Sequence, residues 1–130
     1  MLRRFFVLSG ILLLGACAAP YDPSPAKLYT VFFEPDSDVV NALGRGVVAQ
    51  AASDMTGKQG TRLSVVGYAD RNGTAEANLE LSKRRAAAVA KLLVDAGAPE
   101  AKVFSAGRGE ELLVSEPNYG RRVVIELYHP

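Results

Sequence analysis

An arginine stands in the middle of an apolar helical stripe. In "LELSKRRAAAVAKLLVDAG", residues 79–97, a turn of about 100° per residue sets Leu92 and Ala96 within about 20° of Arg85, and Leu81 and Val89 within about 40°. Arg84 lies about 100° off this stripe and Lys83 points nearly opposite. An unpaired charge on a buried face is costly, so Arg85 needs a partner. The run ahead of the helix ends in Asp70, the first residue of the polar turn "DRNGT". A strand, a tight turn and the first helical turns bring Asp70 and Arg85 to one rim. They form either an internal salt bridge or a split site, with one anion and one cation a ligand's width apart. A split site suits a zwitterion: the carboxylate takes an ammonium, and the guanidinium takes a carboxylate in a bidentate fork.

Other chemistry finds little support. The single histidine, His129, lies next to the C-terminus, where nothing holds it as a general base. The serines have no histidine in a plausible triad order. No His-x-x-His or Cys-x-x-Cys occurs, so no metal site is expected. The glycines of "GRGVV" and "GRGEE" lack the spacing and the lysine of a phosphate loop. Glu110 and Glu111 are loop neighbours, expected to be solvated. No catalytic residue and no cofactor are expected.

The first residues are a targeting segment. "MLRR" is basic, "FFVLSGILLLGA" is apolar but too short to span a bilayer comfortably, and small residues lead to the one cysteine, Cys17. Leu14-Gly15-Ala16-Cys17 resembles the bacterial lipobox. That resemblance implies cleavage after residue 16 and lipidation of Cys17. The next residue is Ala18 and not Asp, which by the same resemblance implies sorting to the outer membrane. Loss of Arg3 and Arg4 takes Lys+Arg from 15 to 13 against 14 acids, a formal charge of about −1. That balance argues against nucleic-acid binding.

The rest is organised as one domain over 27–130, after a short linker, "AAPYDPSPA", that follows Cys17 and brings the segment to 17–26. Such a linker reaches at most about 35 Å. Strands are expected at 27–33, 62–69, 102–108 and 121–128, and helices at 39–55 and about 75–96. Ser37 or Asp38 is the expected cap of the first helix, whose inward residues would be Val40, Leu43, Val47 and Ala51, with Gly44 and Gly46 weakening it. Gly97 is the expected stop of the second. The fold class is α+β: a two-layer α/β sandwich in the order β-α-β-α-β-β, with one mixed sheet and both helices on one face.

Residues 65–97, "VVGYADRNGTAEANLELSKRRAAAVAKLLVDAG", resemble the core of the OmpA-like peptidoglycan-binding domain, found also in peptidoglycan-associated lipoproteins and flagellar stators. The matches are Gly67-Tyr68-Ala69-Asp70, Gly73, and Asn78-x-x-Leu81-Ser82-x-x-Arg85-Ala86-x-x-Val89. "VFFEPDSDVV", "GRGE" (107–110) and "RRVVIEL" flank it in the family's order, so the resemblance covers nearly all of 29–128. It implies that Asp70 holds the amine, and Arg85 the carboxylate, of diaminopimelate in a peptidoglycan stem peptide. Ala69 (through its backbone), Asn78 and Leu81 would shape the same pocket. Asn78 as a brace and Leu81 as plain core remain open. Arg121 and Arg122 match a closing pair with a structural role. The implied function is an outer-membrane lipoprotein facing the periplasm and tethering membrane to wall. A scaffold lipoprotein that meets envelope proteins through the same fold is the alternative. Three departures stand out: Ala69 where the family has threonine, Gly120 where it has asparagine, and Leu113 in place of a proline. A missing hydrogen bond is worth about 1 kcal/mol.

Overall fold

A computed structural model describes residues 24–57, 59–112 and 115–130. The expected leader over 1–16, the lipidation site Cys17, most of the linker and Leu113 lie outside the described residues. Four strands make one sheet: β1 (Lys27–Phe32), β2 (Arg62–Ala69), β3 (Val103–Glu110) and β4 (Arg122–Tyr128). The spatial order is β1-β4-β2-β3. Strand β4 runs antiparallel to both β1 and β2, whereas β3 is parallel to β2. A mixed sheet follows from the helix-crossed order, because a helix carries the chain back so that the next strand points the same way.

Helices α1 (Ala42–Met55) and α2 (Ala75–Asp95) pack on one face of the sheet. Val48, Ala51, Ala52 and Met55 of α1 share a single core with Ala86, Val89 and Leu93 of α2 and with Val31, Leu63, Val65, Val123, Ile125 and Leu127 of the sheet. A short helix, α3 (Pro117–Gly120), interrupts the β3–β4 connection, where a plain loop was expected.

Helix α1 departs from its sequence reading. It is capped by Asn41, whose Oδ1 accepts from the Gly44 amide at 2.9 Å, rather than by Ser37 or Asp38. Starting later turns its inward face: Leu43 is 83% exposed, and Gly44, Val48, Ala51, Ala52 and Met55 are buried. Gly44 sits so close under Val31 and Val40 that a Cβ there would come within 2.8 Å of both, so this glycine admits the helix to the sheet.

Helix α2 runs as expected from Thr74, whose hydroxyl accepts from the Ala77 amide at 3.1 Å. Its buried side is Asn78, Leu81, Ser82, Arg85, Ala86, Val89 and Leu93. At about 100° per residue that arc is centred about 40° round from Arg85, on Val89. Leu92 is therefore only half-buried and Ala96, past the helix end, is exposed. Close approach to β2 sets this roll: a Cβ on Gly67 would lie 2.1 Å from the Ser82 carbonyl and 3.2 Å from the Ala86 methyl. The roll keeps Arg85 within the buried arc, where it reaches the Tyr68 carbonyl near the end of β2.

Candidate functional site: the Asp70 cleft

Arg85 is fully buried, and the backbone is its partner. Its Nε donates to the Ser37 carbonyl at 2.7 Å, Nη1 to that of Tyr68 at 3.0 Å and Nη2 to that of Glu34 at 3.2 Å. The guanidinium also lies over the Phe33 ring, 5.2 Å from its centre. Among the described residues no buried side-chain nitrogen or oxygen lacks a partner. Burial pushes the Arg85 pKa below its ordinary value, and Arg121 pushes the same way; Asp70, Asp38 and Asp36 push it back up. The group stays charged, since a guanidinium does not deprotonate in a protein.

Asp70 and Arg85 are electrostatic neighbours, but no ion pair joins them among the described residues. The Asp70 carboxylate is held by another cation: Arg121 Nη1 donates to Oδ2 at 3.2 Å, with both side chains about seven-eighths buried (13% and 14% exposed). The Asn72 amide donates to Oδ1 at 3.2 Å, a turn closed by the side chain that starts it. Of the two alternatives, the internal Asp70–Arg85 salt bridge is not formed among the described residues; Asp70 pairs instead with Arg121, just ahead of β4. Arg121 also donates from Nε to the Phe33 carbonyl at 3.1 Å and from Nη2 to Asn118 Oδ1. It ties β1, α3 and the end of β2 into one corner. Arg122 stacks over Tyr68, 4.6 Å from the ring centre, and pairs with Glu111 at 3.0 Å.

Asp70, Asn78 and Leu81 line one cleft of about 320 Å³, together with Pro35, Asp36, Asn72 and Gly73. Asn78 is nearly buried, and its Nδ2 donates to Glu110 Oε1 at 3.0 Å, so it braces the start of α2 against the end of β3 as well as facing the cleft. Ser82 adds a second brace: its hydroxyl donates to the Leu79 carbonyl at 2.7 Å and accepts from the Gly109 amide at 2.8 Å. Ala69 is fully buried, and its carbonyl accepts from the Glu111 amide at 3.1 Å. Neither its side chain nor the guanidinium of Arg85 is among the groups lining the cleft. Arg85 meets this region through the carbonyls of residues 34, 37 and 68.

Gly120 presses on the same corner. A Cβ there would lie 2.9 Å from Asp70 Cα and 3.1 Å from its Cβ. The short connection brings the backbone into the space a side chain would need, which accounts for a glycine at this position. The sequence alone did not reveal that Asp36, Asn72 and Arg121 belong to this site. Arg121 lies 51 residues from Asp70, and nothing local signals their pairing.

The arrangement is an anion lining a cleft, paired with Arg121 and in the field of the buried Arg85. It can receive a cationic group at Asp70 and place an anionic one in the field of Arg85 and Arg121. Among the described residues no group of three or more His, Cys, Asp or Glu could hold a metal ion.

A profile of the OmpA family matches residues 32–122. An outer membrane protein of Gluconacetobacter diazotrophicus is 36% identical over 118 residues, covering 82% of this chain and 31% of the relative. The peptidoglycan-associated lipoprotein of Brucella melitensis is 32% identical over 109 residues, covering 79% of this chain and 64% of the relative. This chain thus spans less than two thirds of the length of either. The crystal structure of the peptidoglycan-associated lipoprotein from Burkholderia pseudomallei superposes with a TM-score of 0.69 at 25% identity, covering 77% of this chain and 90% of that one.

Proposed function

The chain belongs to the OmpA family, and on that premise we propose that it binds peptidoglycan through the Asp70 cleft and tethers the outer membrane to the cell wall. The observation that carries this reading is Asp70 itself. Its carboxylate is fixed at the cleft by Arg121 and the Asn72 amide, beside the buried Arg85 cation. The chemistry suits the zwitterionic centre of diaminopimelate: the ammonium meets Asp70, and the carboxylate is drawn toward Arg85 and Arg121. Asn78 and Leu81 bound the pocket, and Ala69, next to Asp70 in the chain, contributes only through its backbone. Relatives named outer membrane protein and peptidoglycan-associated lipoprotein support the location and the wall as partner. Anchoring is through lipid on Cys17 after removal of residues 1–16, with the domain in the periplasm. Wall peptides are repeated in many copies, so modest affinity per site suffices. The role is binding, without catalysis and without a cofactor.

A second reading has an observation of its own. Arg85 is sealed and satisfied by three carbonyls, as a purely structural brace would be. A scaffold that meets other envelope proteins through this fold would keep that brace and leave the wall alone.

Sedimentation of the full-length chain, in detergent, with purified sacculi separates the two. Wild type is expected in the pellet. Asp70→Asn is expected in the supernatant while still folded, with a lowered melting temperature, because it removes the charge that faces Arg121 but keeps the shape of the side chain and leaves the Arg85 bonds alone. A folded wild type that stays in solution would reject wall binding in favour of the scaffold.

A further inference from the structure

We propose that a second subsite, formed by Phe32 and Tyr119, takes a sugar ring of the glycan strand next to the stem peptide; this rests on the reading that the Asp70 cleft takes that peptide. The two rings meet edge to face, with centres 6.1 Å apart and planes at 79°. Both are open to solvent, Phe32 at 46% and Tyr119 at 53%. They line a groove of about 450 Å³ with Phe33, Glu34, Asn41, Asn118 and Arg121.

Exposed aromatic rings alone would suit any apolar partner. The polar groups beside them narrow the choice. Among the described residues Asn41 bonds through its side chain only at Oδ1, in capping α1, which leaves its Nδ2 as a donor. Among the described residues no bond reaches the Glu34 carboxylate or the Tyr119 hydroxyl. Two flat apolar faces, a free carboxylate, a free amide and a phenol make the set that a hexosamine uses. Its C–H face stacks on an aromatic ring, and its hydroxyl and acetamido groups take donors and acceptors at the ring edge.

Position supports the same occupant. Arg121 lines this groove and at the same time holds Asp70, which lines the peptide cleft. In peptidoglycan the diaminopimelate is the third residue of a peptide borne on a sugar. Two residues, the second γ-linked, and the lactyl ether between them and the sugar span roughly 15 Å when extended, so a sugar site has to lie close to the peptide site. This groove does so, across a single side chain.

The test is titration calorimetry of the full-length chain in detergent with two probes. One is the free tripeptide L-alanyl-γ-D-glutamyl-diaminopimelate; the other is the same tripeptide on an N-acetylglucosaminyl-N-acetylmuramic acid disaccharide. Wild type is expected to bind the disaccharide probe about tenfold more tightly than the bare peptide. Tyr119→Ala and Phe32→Ala should each remove most of that gain and leave affinity for the bare peptide unchanged. Tyr119→Phe, which keeps the ring, should retain it. Equal affinity of wild type for both probes would overturn the sugar subsite while leaving the peptide site standing. Equal weakening of both probes by Tyr119→Ala and by Phe32→Ala would also overturn it, since the rings would then only shape the Asp70 corner. Failure of both probes to bind would reject the peptide site, and the sugar subsite with it.

Discussion

Arg85 and Asp54 each tie β1 or its continuation to a helix, at opposite ends of the strand. At the far end of β1, Arg85 of α2 holds three backbone carbonyls and is fully buried. At the near end, Asp54 of α1 takes Lys27 Nζ at 2.7 Å, Tyr29 Oη at 2.5 Å and Gln50 Nε2 at 2.9 Å, and its side chain is 22% exposed. One charge is met by backbone dipoles; the other is met by side chains that water can replace. A buried cation on carbonyls is costly to remove, since the Ser37 and Tyr68 carbonyls lose its donors and the Glu34 carbonyl keeps only the Ser37 amide at 3.3 Å. An exposed cluster is graded, and pH can tune it.

The sharpest way to break the comparison is Arg85→Met. It should lower stability by about 3–5 kcal/mol, measured by denaturant unfolding, because three carbonyls lose a charged donor and a fully buried side chain loses its polar contacts. Arg85→Lys should recover little of this, since one ammonium on a flexible stem cannot span three carbonyls set around a planar fork. Stability near wild type in Arg85→Met would mean that water serves these carbonyls equally well.

Two glycines give a smaller contrast of opposite sign. Gly120→Ala should cost about 1–3 kcal/mol, since its methyl would meet the Asp70 backbone. Gly46→Ala, in α1 with nothing within 4 Å of the added Cβ, should stabilise by about 0.5–1 kcal/mol through helix propensity. Equal and small shifts in the two melting temperatures would show that the Asp70 corner yields more easily than its packing implies.

The smallest effect is at the other end, and it depends on pH. The hydrogen bond from Lys27, then that from Tyr29, holds the Asp54 pKa down at about 2. The folded pKa lies below the unfolded one, so its contribution is full above the ordinary carboxylate range and is lost as pH falls toward 2. Tyr29 is pushed up to about 12, first by burial and then by Asp54. Its contribution is full below the ordinary tyrosine range and is lost as pH rises toward 12. The melting-temperature gap between wild type and Asp54→Asn should therefore be wider at pH 6 than at pH 2, and narrow again above pH 11. A gap independent of pH would show that this cluster contributes by shape rather than charge.

Much of the molecule was legible beforehand. Hydrophobic periodicity found four strands and two helices, and their order required a mixed sheet with both helices on one face. The inward position of Arg85 was visible from spacing alone. Its partners were not, because carbonyls carry no mark in a sequence. The start of α1 was misplaced because Ser37 and Asp38 are as good as Asn41 on local grounds, and only packing of Gly44 beneath Val31 and Val40 decides among them. The Asp70–Arg121 pair was missed for a related reason. It joins the ends of two strands that are neighbours only once the β1-β4-β2-β3 order is known.

The path of β1 has a mechanical consequence. The strand enters at Lys27 and leaves into residues 33–37, whose carbonyls are gripped by Arg121 and Arg85 beside Asp70. A pull between the chain ahead of Lys27 and a ligand at Asp70 runs along the strand axis. It loads the six-residue register between β1 and β4 in shear, with all its rungs sharing the force, rather than peeling them one at a time. Shear across six paired residues resists such a pull better than peeling them apart would.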